Sequence, residues 1–385
     1  MSNTKSIRIM LTGGGSAGHI APILSVIEEF QRIAPDNKLF IDLHYLGPRD
    51  DYSGQLERYG VKMHSLPSAK LRRYISIQNI IDIPKFIAAL ILALLKMLVY
   101  MPDAVFSKGG TSAFPVVFAA WVYRIPILIH ESDATPGLTN LLSARFATRI
   151  AVGFETALKI FRTDAAAFIG NPIRPSLLSQ RLSKSAAKTA LGFNPEEPLV
   201  AILGGSQGAS AINEFILSLL PQLLSETAIY HQTGSATYED CRVIGESVEK
   251  ELPADVAAKH PYRAVPFTDE MSKVYSAADL IVARAGASTI AELAAFGVPS
   301  ILVPLPDTAS NGHQRLNAYE FAKTGGAVVL EQDNLLPGIF LRQVKHIIGN
   351  PAEIEMMSRS ATSFYKPDAA RLIAEEILRL ALRQY

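Results

Sequence analysis

Residues 280–304, LIVARAGASTIAELAAFGVPSILVP, read as one complete strand–turn–helix–strand unit. LIVA and SILVP at its ends are short apolar runs rich in β-branched residues, the pattern of parallel strands buried on both faces. Between them, Ala285-Gly286-Ala287-Ser288 is a tight turn of small residues. Thr289–Phe296 then carries helical apolar spacing, closed by Gly297 and Pro299. So small a turn lets a ligand approach the backbone, with helix-start amides and the positive end of the dipole aimed at an anion. Glu292, about one turn into the helix, has two readings. Its carboxylate is an acceptor for the hydroxyls of a ribose, or it complements the helix dipole.

The same alternation runs outward on both sides. Upstream, Leu199–Leu203 is a predicted strand, Gly204-Gly205-Ser206-Gln207-Gly208 a glycine turn and Ala209–Leu224 a helix. Ala228–Gln232 and Ala264–Phe267 are further strands, the second leading to Thr268-Asp269-Glu270-Met271 at a helix start. Downstream, Asn311-Gly312-His313-Gln314 opens a helix containing Asn317, and the amphipathic segment Asp368–Leu382 has no strand after it.

The front half repeats the scheme. Ser6–Leu11 is a strand that meets Gly13-Gly14-Gly15-Ser16-Ala17-Gly18-His19, with a helical run from Ile20 to about Ile33. These glycines formally satisfy G-x-G-x-x-G, but a dinucleotide site needs an acidic residue at the end of the second strand. That strand, Leu39–Leu46, ends instead in Gly47-Pro48-Arg49, with Asp42 inside it. Dinucleotide binding is therefore disfavoured. What remains is a glycine loop at a helix start, with His19 facing whatever the loop holds. Ala104–Ser107 leads to Lys108-Gly109-Gly110-Thr111-Ser112 and a helix holding Trp121; Ile125–Ile129 leads to His130-Glu131-Ser132-Asp133, after which Pro136-Gly137-Leu138-Thr139-Asn140 opens another helix. Polar residues thus gather just after apolar strands, where open α/β sheets bind ligands. At Phe168–Arg174 (FIGNPIR) the alternation stops, and a domain boundary is expected there. Two strand–helix domains in series imply a cleft between them.

Composition sets the outer bounds. At 385 residues the chain exceeds one ordinary core, and 49% hydrophobic content with 19% charge describes a well-buried globular protein. The single cysteine, Cys241, excludes an intrachain disulfide framework and a Cys-based zinc site. The opening MSNTKSIRIMLTGGG has no signal-peptide apolar region, so a cytoplasmic protein is expected. Residues 1–168 hold 18 Lys/Arg against 13 Asp/Glu, the remainder 19 against 23. A basic front half suits an anionic partner such as a phosphate-bearing lipid surface.

Leu66–Met101 is the unusual segment. Lys70, Arg72 and Arg73 precede a run that is almost wholly apolar from Phe86 to Met101, broken by Lys96. A membrane span needs about 20 apolar residues, and this run is shorter, follows Pro84 and contains a lysine. Two readings stay open: a buried crossover helix, or a helix with one face on a membrane and basic residues near lipid phosphates. Both can hold for different faces.

Taken in order, GGGSAGHIAP (13–22), KGGTSAFP (108–115), HESDATPGLTN (130–140), GNPIR (170–174), GGSQGA (204–209), HQTG (231–234), PFTDEM (266–271), RAGASTIAELAAFGVP (284–299) and GHQ…NA (312–318) resemble the MurG family of glycosyltransferases over essentially the whole chain. The resemblance implies an α/β protein of GT-B architecture, two Rossmann-like parallel-sheet domains facing a cleft. The final helix would return to the first domain, giving 1–170 plus 365–385 for the acceptor and 171–364 for the donor. It implies transfer of N-acetylglucosamine from UDP-N-acetylglucosamine to lipid I, with inversion, to form lipid II. No metal or other cofactor is implied, and no nucleic acid. The partners would be UDP-N-acetylglucosamine, lipid I and the cytoplasmic face of the plasma membrane, with the enzyme peripheral on it. By the same resemblance, Thr268 and the turn residues Ala287, Ser288, Thr289, Ile290, Ala291 and Glu292 would hold uridine and ribose. Ser206 and Arg174 would lie near the diphosphate and Gln314 on the sugar, while Ser16, Ala17 and Gly18 would close the site from the first domain.

Chemistry fits those roles. The leaving diphosphate gains negative charge, which helix-start amides, Ser206 and Arg174 can stabilise without a metal. The acceptor hydroxyl needs a base, and His19 has the right pKa and place, though a histidine capping or packing on its own turn is the plainer reading. His130 and His313 are weaker candidates. The family most often carries asparagine where this chain has Asp133, a carboxylate able to accept from the sugar, to act as a second base, or to partner His19. The alternative enzyme is a GT-B UDP-sugar transferase acting on another lipid or a small molecule. A non-catalytic sugar-nucleotide binder is the third reading, disfavoured because a binder needs no His19.

Overall fold

The computed structural model describes residues 5–14, 17–49, 53–67, 77–110, 112–204, 209–310 and 312–382. The chain divides into two compact units, Met1–Pro175 with Lys366–Tyr385, and Ser176–Tyr365.

The first unit is built on seven strands: β1 (Lys5–Thr12), β2 (Leu39–Gly47), β3 (Lys62–Ser65), β4 (Ala104–Ser107), β5 (Ile127–Glu131), β6 (Arg149–Val152) and β7 (Ala166–Phe168). Their order is β3-β2-β1-β4-β5-β6-β7, and every pairing is parallel. The second unit has β8 (Leu199–Leu203), β9 (Ala228–Gln232), β10 (Tyr262–Val265), β11 (Leu280–Ala283), β12 (Ser300–Leu302) and β13 (Ala327–Val329). These are also all parallel, in the order β10-β9-β8-β11-β12-β13. Both are Rossmann-like sheets whose order reverses once, between β1 and β4 and between β8 and β11. That reversal opens a crevice at the carboxyl ends of the strands.

The uninterrupted apolar runs have their cause in burial on both faces. Every residue of β4, β5, β8, β9 and β11 is buried. Along β1, Ile9 and Leu11 pack with Ile20, Ile23, Ile27 and Phe30 of the Ala17–Asp36 helix, whereas Met10 joins Ala93, Val116 and Val117 on the other face. The last helix, Ala369–Leu382, puts Ile373, Ala374, Ile377 and Ala381 into the core around β1.

Several expected element limits move, each for a local reason. The helix expected over 209–224 is two, Ser210–Ser218 and Leu220–Leu224, parted at Leu219 (φ −110°) just ahead of Pro221, which has no N–H to continue the ladder. The strand expected at 125–129 is β5, because the Ile125 amide instead bonds Ala120 O at 2.9 Å and closes the preceding helix. The strand expected at 264–267 is β10 and stops before Pro266. In the opening unit the helix begins at Ala287, two residues early, and ends on Gly297 in the left-handed conformation (φ 65°).

The helix Ile77–Tyr100 settles the Leu66–Met101 segment differently from a wholly buried crossover. Ala89, Ala93 and Met97 form its narrow buried stripe, while Ile83, Ile87, Ile91, Leu95, Leu98 and Val99 are exposed, Val99 by 73%. The 18 residues Ile83–Tyr100 are long and apolar enough, by length and composition alone, to cross a membrane, and only 17% of them are buried. Lys70, Arg72 and Arg73 lie outside the described residues.

Candidate active site

In the second unit, the carboxyl ends of β8 and β11 flank the reversal of strand order, so the turn after β11 faces the crevice there. Gly286 is the N-cap of the Ala287–Phe296 helix (φ −67°, ψ 138°). The amides of Ala287, Ser288 and Thr289 therefore lie in the first turn, where no intrahelical acceptor exists. Ser288, Thr289 and Glu292 are half-exposed. Ile290 is 0% exposed and its amide is spent on Gly286 O at 3.0 Å, so it turns into the core rather than toward the crevice. Ala291, 6% exposed, follows it inward. Helical periodicity places these two on the core face of the helix.

The turn is braced from two sides by Arg284 and Asn317, which the quoted motifs contain but to which the sequence reading gave no role. Arg284 Nη1 donates to Val303 O (3.1 Å) and Pro304 O (3.4 Å), and its Nη2 to Gln332 Oε1 (2.7 Å). Asn317, fully buried, donates through Nδ2 to Ala285 O at 3.3 Å. Glu292 is held as well, accepting from the Tyr275 hydroxyl at 2.6 Å. Thr268 Oγ1 accepts from the Glu270 amide at 3.0 Å, fixing the turn before the Met271–Ala277 helix. Gln314 Oε1 accepts from the Leu305 amide at 3.1 Å. Ser206 lies outside the described residues. A cavity of about 400 Å³ lined by Pro198, Glu226, Lys345 and Asn350 sits at the amino end of β8, the opposite edge of the sheet from these turns.

In the first unit three loops converge at the carboxyl ends of β1, β4 and β5. Gly110 (φ 90°) approaches the first glycine loop so closely that a Cβ there would stand 2.6 Å from Gly14 O. A Cβ on Gly109 (φ 81°) would meet Asn140 Oδ1 at 2.6 Å. Asn140 in turn donates to His130 O (3.3 Å) and Glu131 Oε2 (2.9 Å). Glu131 also accepts from the amides of Asp133 and Gly137, both at 3.0 Å, so one buried carboxylate shapes the whole 131–140 loop. Asp133 is half-buried on that loop. His19 stands in the first turn of the Ala17–Asp36 helix, half-buried, beside exposed Gly18. The Ala17 side chain and Ser16 lie outside what the structure describes.

Two buried groups set the local electrostatics. Lys108 is 2% exposed; burial pushes its ammonium down from the usual range, and the carboxylates of Glu131 and Asp133 pull it back. Burial, and then the Lys108 charge, pushes His130 well below the ordinary imidazole range. His130 is thus neutral, and its Nε2, 3.2 Å from Gly170 O, donates to that carbonyl. This ties it to a structural bond rather than to proton transfer. Arg174 belongs to the first unit, beside the Tyr59 hydroxyl that donates to Glu28 at 3.0 Å. His313 opens the His313–Ala322 helix, half-buried. Among the described residues, no cluster of three or more His, Cys, Asp or Glu side chains is placed to hold a metal ion.

Two Rossmann-like parallel sheets in one chain are the GT-B architecture, and the family models give the class as a glycosyltransferase. Residues 9–152 match the glycosyltransferase family 28 N-terminal domain and residues 199–373 the glycosyltransferase family 28 C-terminal domain. The chain belongs to the MurG family within that group. A relative from Clostridium kluyveri, named UDP-N-acetylglucosamine--N-acetylmuramyl-(pentapeptide) pyrophosphoryl-undecaprenol N-acetylglucosamine transferase, is 36% identical over 341 residues, covering 88% of this chain and 91% of that protein. A relative from Bacillus cereus, bearing the same name with the suffix 2, is 35% identical over 345 residues, 89% of this chain and 92% of its own. The crystal structure of MurG from Acinetobacter baumannii superposes with a TM-score of 0.74 at 26% identity, covering 97% of this chain and 99% of that one.

Proposed function

We propose that this protein transfers N-acetylglucosamine from UDP-N-acetylglucosamine to the muramyl sugar of lipid I, an undecaprenyl-diphosphate-linked acceptor, yielding lipid II and UDP. The observation that carries the reading is the turn after β11. Helix-start amides and a fixed carboxylate at Glu292 stand on a parallel sheet at its reversal, in a chain aligned nearly end to end with relatives named for this reaction.

The acceptor hydroxyl oxygen attacks the anomeric carbon of the donor as the bond from that carbon to the β-phosphate oxygen breaks. The electron pair leaves with UDP, the hydroxyl proton passes to a base, and the configuration inverts. His19 is the base. Histidine is the side chain whose ordinary titration range spans neutral pH, the range in which a general base works. Asp133 lies on the first unit's 131–140 loop and accepts from the sugar or orients His19. Ala287, Ser288, Thr289, Thr268 and Glu292 hold uridine and ribose. Ile290 and Ala291 complete that turn of the helix, with their side chains on its core face. Ser206 and Arg174 meet the growing charge of the diphosphate, Gln314 meets the sugar, and Ser16, Ala17 and Gly18 line the acceptor side.

The polyprenyl chain keeps the acceptor in its bilayer, since each CH₂ buried there contributes about 0.8 kcal/mol. The enzyme therefore works at the inner face of the plasma membrane as a peripheral protein. The exposed stripe Ile83–Val99, with Lys85 on the same helix, is the surface proposed to lie on the lipid. Incubating the protein with radiolabelled UDP-N-acetylglucosamine and a lipid I analogue should give a labelled disaccharide lipid. Label entering only other acceptors, and none entering lipid I, would move the function to a different GT-B UDP-sugar transferase.

A further inference from the structure

The carboxylate assigned to the donor's ribose is itself held by an aromatic scaffold. Glu292 Oε2 accepts from the Tyr275 hydroxyl at 2.6 Å, the length of a charge-assisted O–H···O⁻ bond. Tyr275 comes from the Met271–Ala277 helix, just after the Thr268 turn, and is 3% exposed. Its ring lies on Phe296, with centroids 5.2 Å apart and planes at 37°. Phe296 follows Glu292 by one turn, so both side chains share a face of the Ala287–Phe296 helix. Against the Phe296 ring lies the Arg181 guanidinium, 5.5 Å from the centroid, donating to Ala295 O (3.4 Å) and Phe296 O (3.1 Å). Arg181 and Phe296 thus fix the tyrosine ring, and the ring fixes where its hydroxyl points.

A glutamate on a helix surface samples several rotamers, and ordering it on binding costs affinity. Here the ordering is done by folding. A carboxylate has two oxygens and about four lone-pair sites, so accepting from one phenol is compatible with accepting from a ribose diol. We propose that Tyr275 is a positioning residue for nucleoside recognition: its phenol holds the Glu292 carboxylate in the orientation that accepts from the two ribose hydroxyls of the donor. The scaffold therefore sets how strongly the enzyme prefers a ribonucleotide over its deoxy counterparts. This rests on the reading of Glu292 as the ribose ligand.

The test titrates UDP and 2′,3′-dideoxy-UDP into the wild type, Tyr275→Phe, Glu292→Ala and the double variant by calorimetry, with melting curves to verify folding. Wild type prefers UDP. Tyr275→Phe keeps the ring packing, and it should weaken UDP by about tenfold while changing dideoxy-UDP less than twofold. In turnover its effect should fall on the donor KM rather than on kcat. Added to Glu292→Ala, it should change neither affinity further. A Tyr275→Phe variant that weakens both ligands equally, or neither, overturns the positioning role. Full preference for UDP in Glu292→Ala would instead overturn the ribose reading beneath it, whatever Tyr275→Phe does.

Discussion

At the residue scale, the contrast between histidines is a contrast of surroundings. His130 is locked to Gly170 O in the dry interior, beside the buried Lys108 charge, and stays neutral. His19 is half-buried in the first turn of the Ala17–Asp36 helix. If His19 is the base, His19→Ala should lower turnover by about 10²–10⁴-fold and leave UDP affinity nearly intact. A variant keeping more than a tenth of wild-type turnover at saturating acceptor would pass the role to Asp133. His231 gives a separate pH prediction. It is buried between Asn213 Oδ1 (3.0 Å) and the Tyr262 hydroxyl (2.9 Å), and burial pushes it down to about 3. Its folded value lies below its unfolded value, near 6.5, so the unfolded chain binds the proton first as pH falls. The stability contribution is complete above about pH 6.5 and drains away toward pH 3, by up to about 1.4 kcal/mol per pH unit. Denaturant titrations between pH 7 and 4 should show a shallower acid slope in His231→Gln. Equal slopes in both proteins would mean the imidazole titrates as if exposed.

At the element scale, the strands and their turns were legible because burial on both faces leaves a short β-branched run that little else produces. Ala104–Ser107, Leu199–Leu203 and Ala228–Gln232 were readable to the residue. Element ends were less so, because they turn on single amides: Ile125 bonding back to Ala120, and Pro266 and Pro221 lacking a donor. The bracing of the site was not legible at all. Arg181, Tyr275 and Phe296 come together only after folding, and although Ala285 and Asn317 lie in motifs quoted above, that one braces the other shows only in the fold. Ile290 and Ala291 were within reach, since a 3.6-residue period already turns them away from Glu292. The Ile77–Tyr100 helix was legible in composition but not in facing, which among its described side chains depends on Ala89, Ala93 and Met97 supplying the buried stripe. Ile87, Ile91 and Leu95 recur at four-residue spacing on the exposed side, at 50%, 53% and 55% exposure. Replacing all three with serine removes apolar area worth roughly 1–2 kcal/mol per side chain in a lipid interface. Vesicle binding should weaken by at least tenfold, as should turnover of a long-chain lipid acceptor, while a soluble short-chain acceptor is used as before. Unchanged sedimentation with anionic vesicles would free the stripe from any membrane role.

At the scale of the whole molecule, the chain builds the first sheet, builds the second, and then sends its last helix back to the first. The helix Ala369–Leu382 has apolar residues at Ile373, Ile377 and Leu380, and they enter the core that holds Ile7, Ile9, Phe30 and Phe106. Arg149 on β6 pairs with Glu376 at 3.1 Å, adding a polar tie on the helix's wetter side. The first unit is therefore incomplete until the final residues of the chain are in place, whereas every donor-binding side chain assigned to the second unit lies before residue 365. Ile373 and Ile377 are 1% and 0% exposed. Truncating either to alanine should cost about 2–4 kcal/mol through lost burial and a residual cavity. The double variant, Ile373→Ala with Ile377→Ala, should then unfold its first unit at markedly lower temperature or denaturant. Its second unit should keep its own transition and a Glu292-dependent affinity for UDP, reduced by the loss of Arg174, which belongs to the first unit. Acceptor turnover should fall in step with the loss of folded first unit. Complete loss of UDP binding in parallel with the first unit's unfolding would mean that uridine and ribose recognition also needs the first unit in place. An unshifted first transition would mean that the last helix is dispensable to the core it enters.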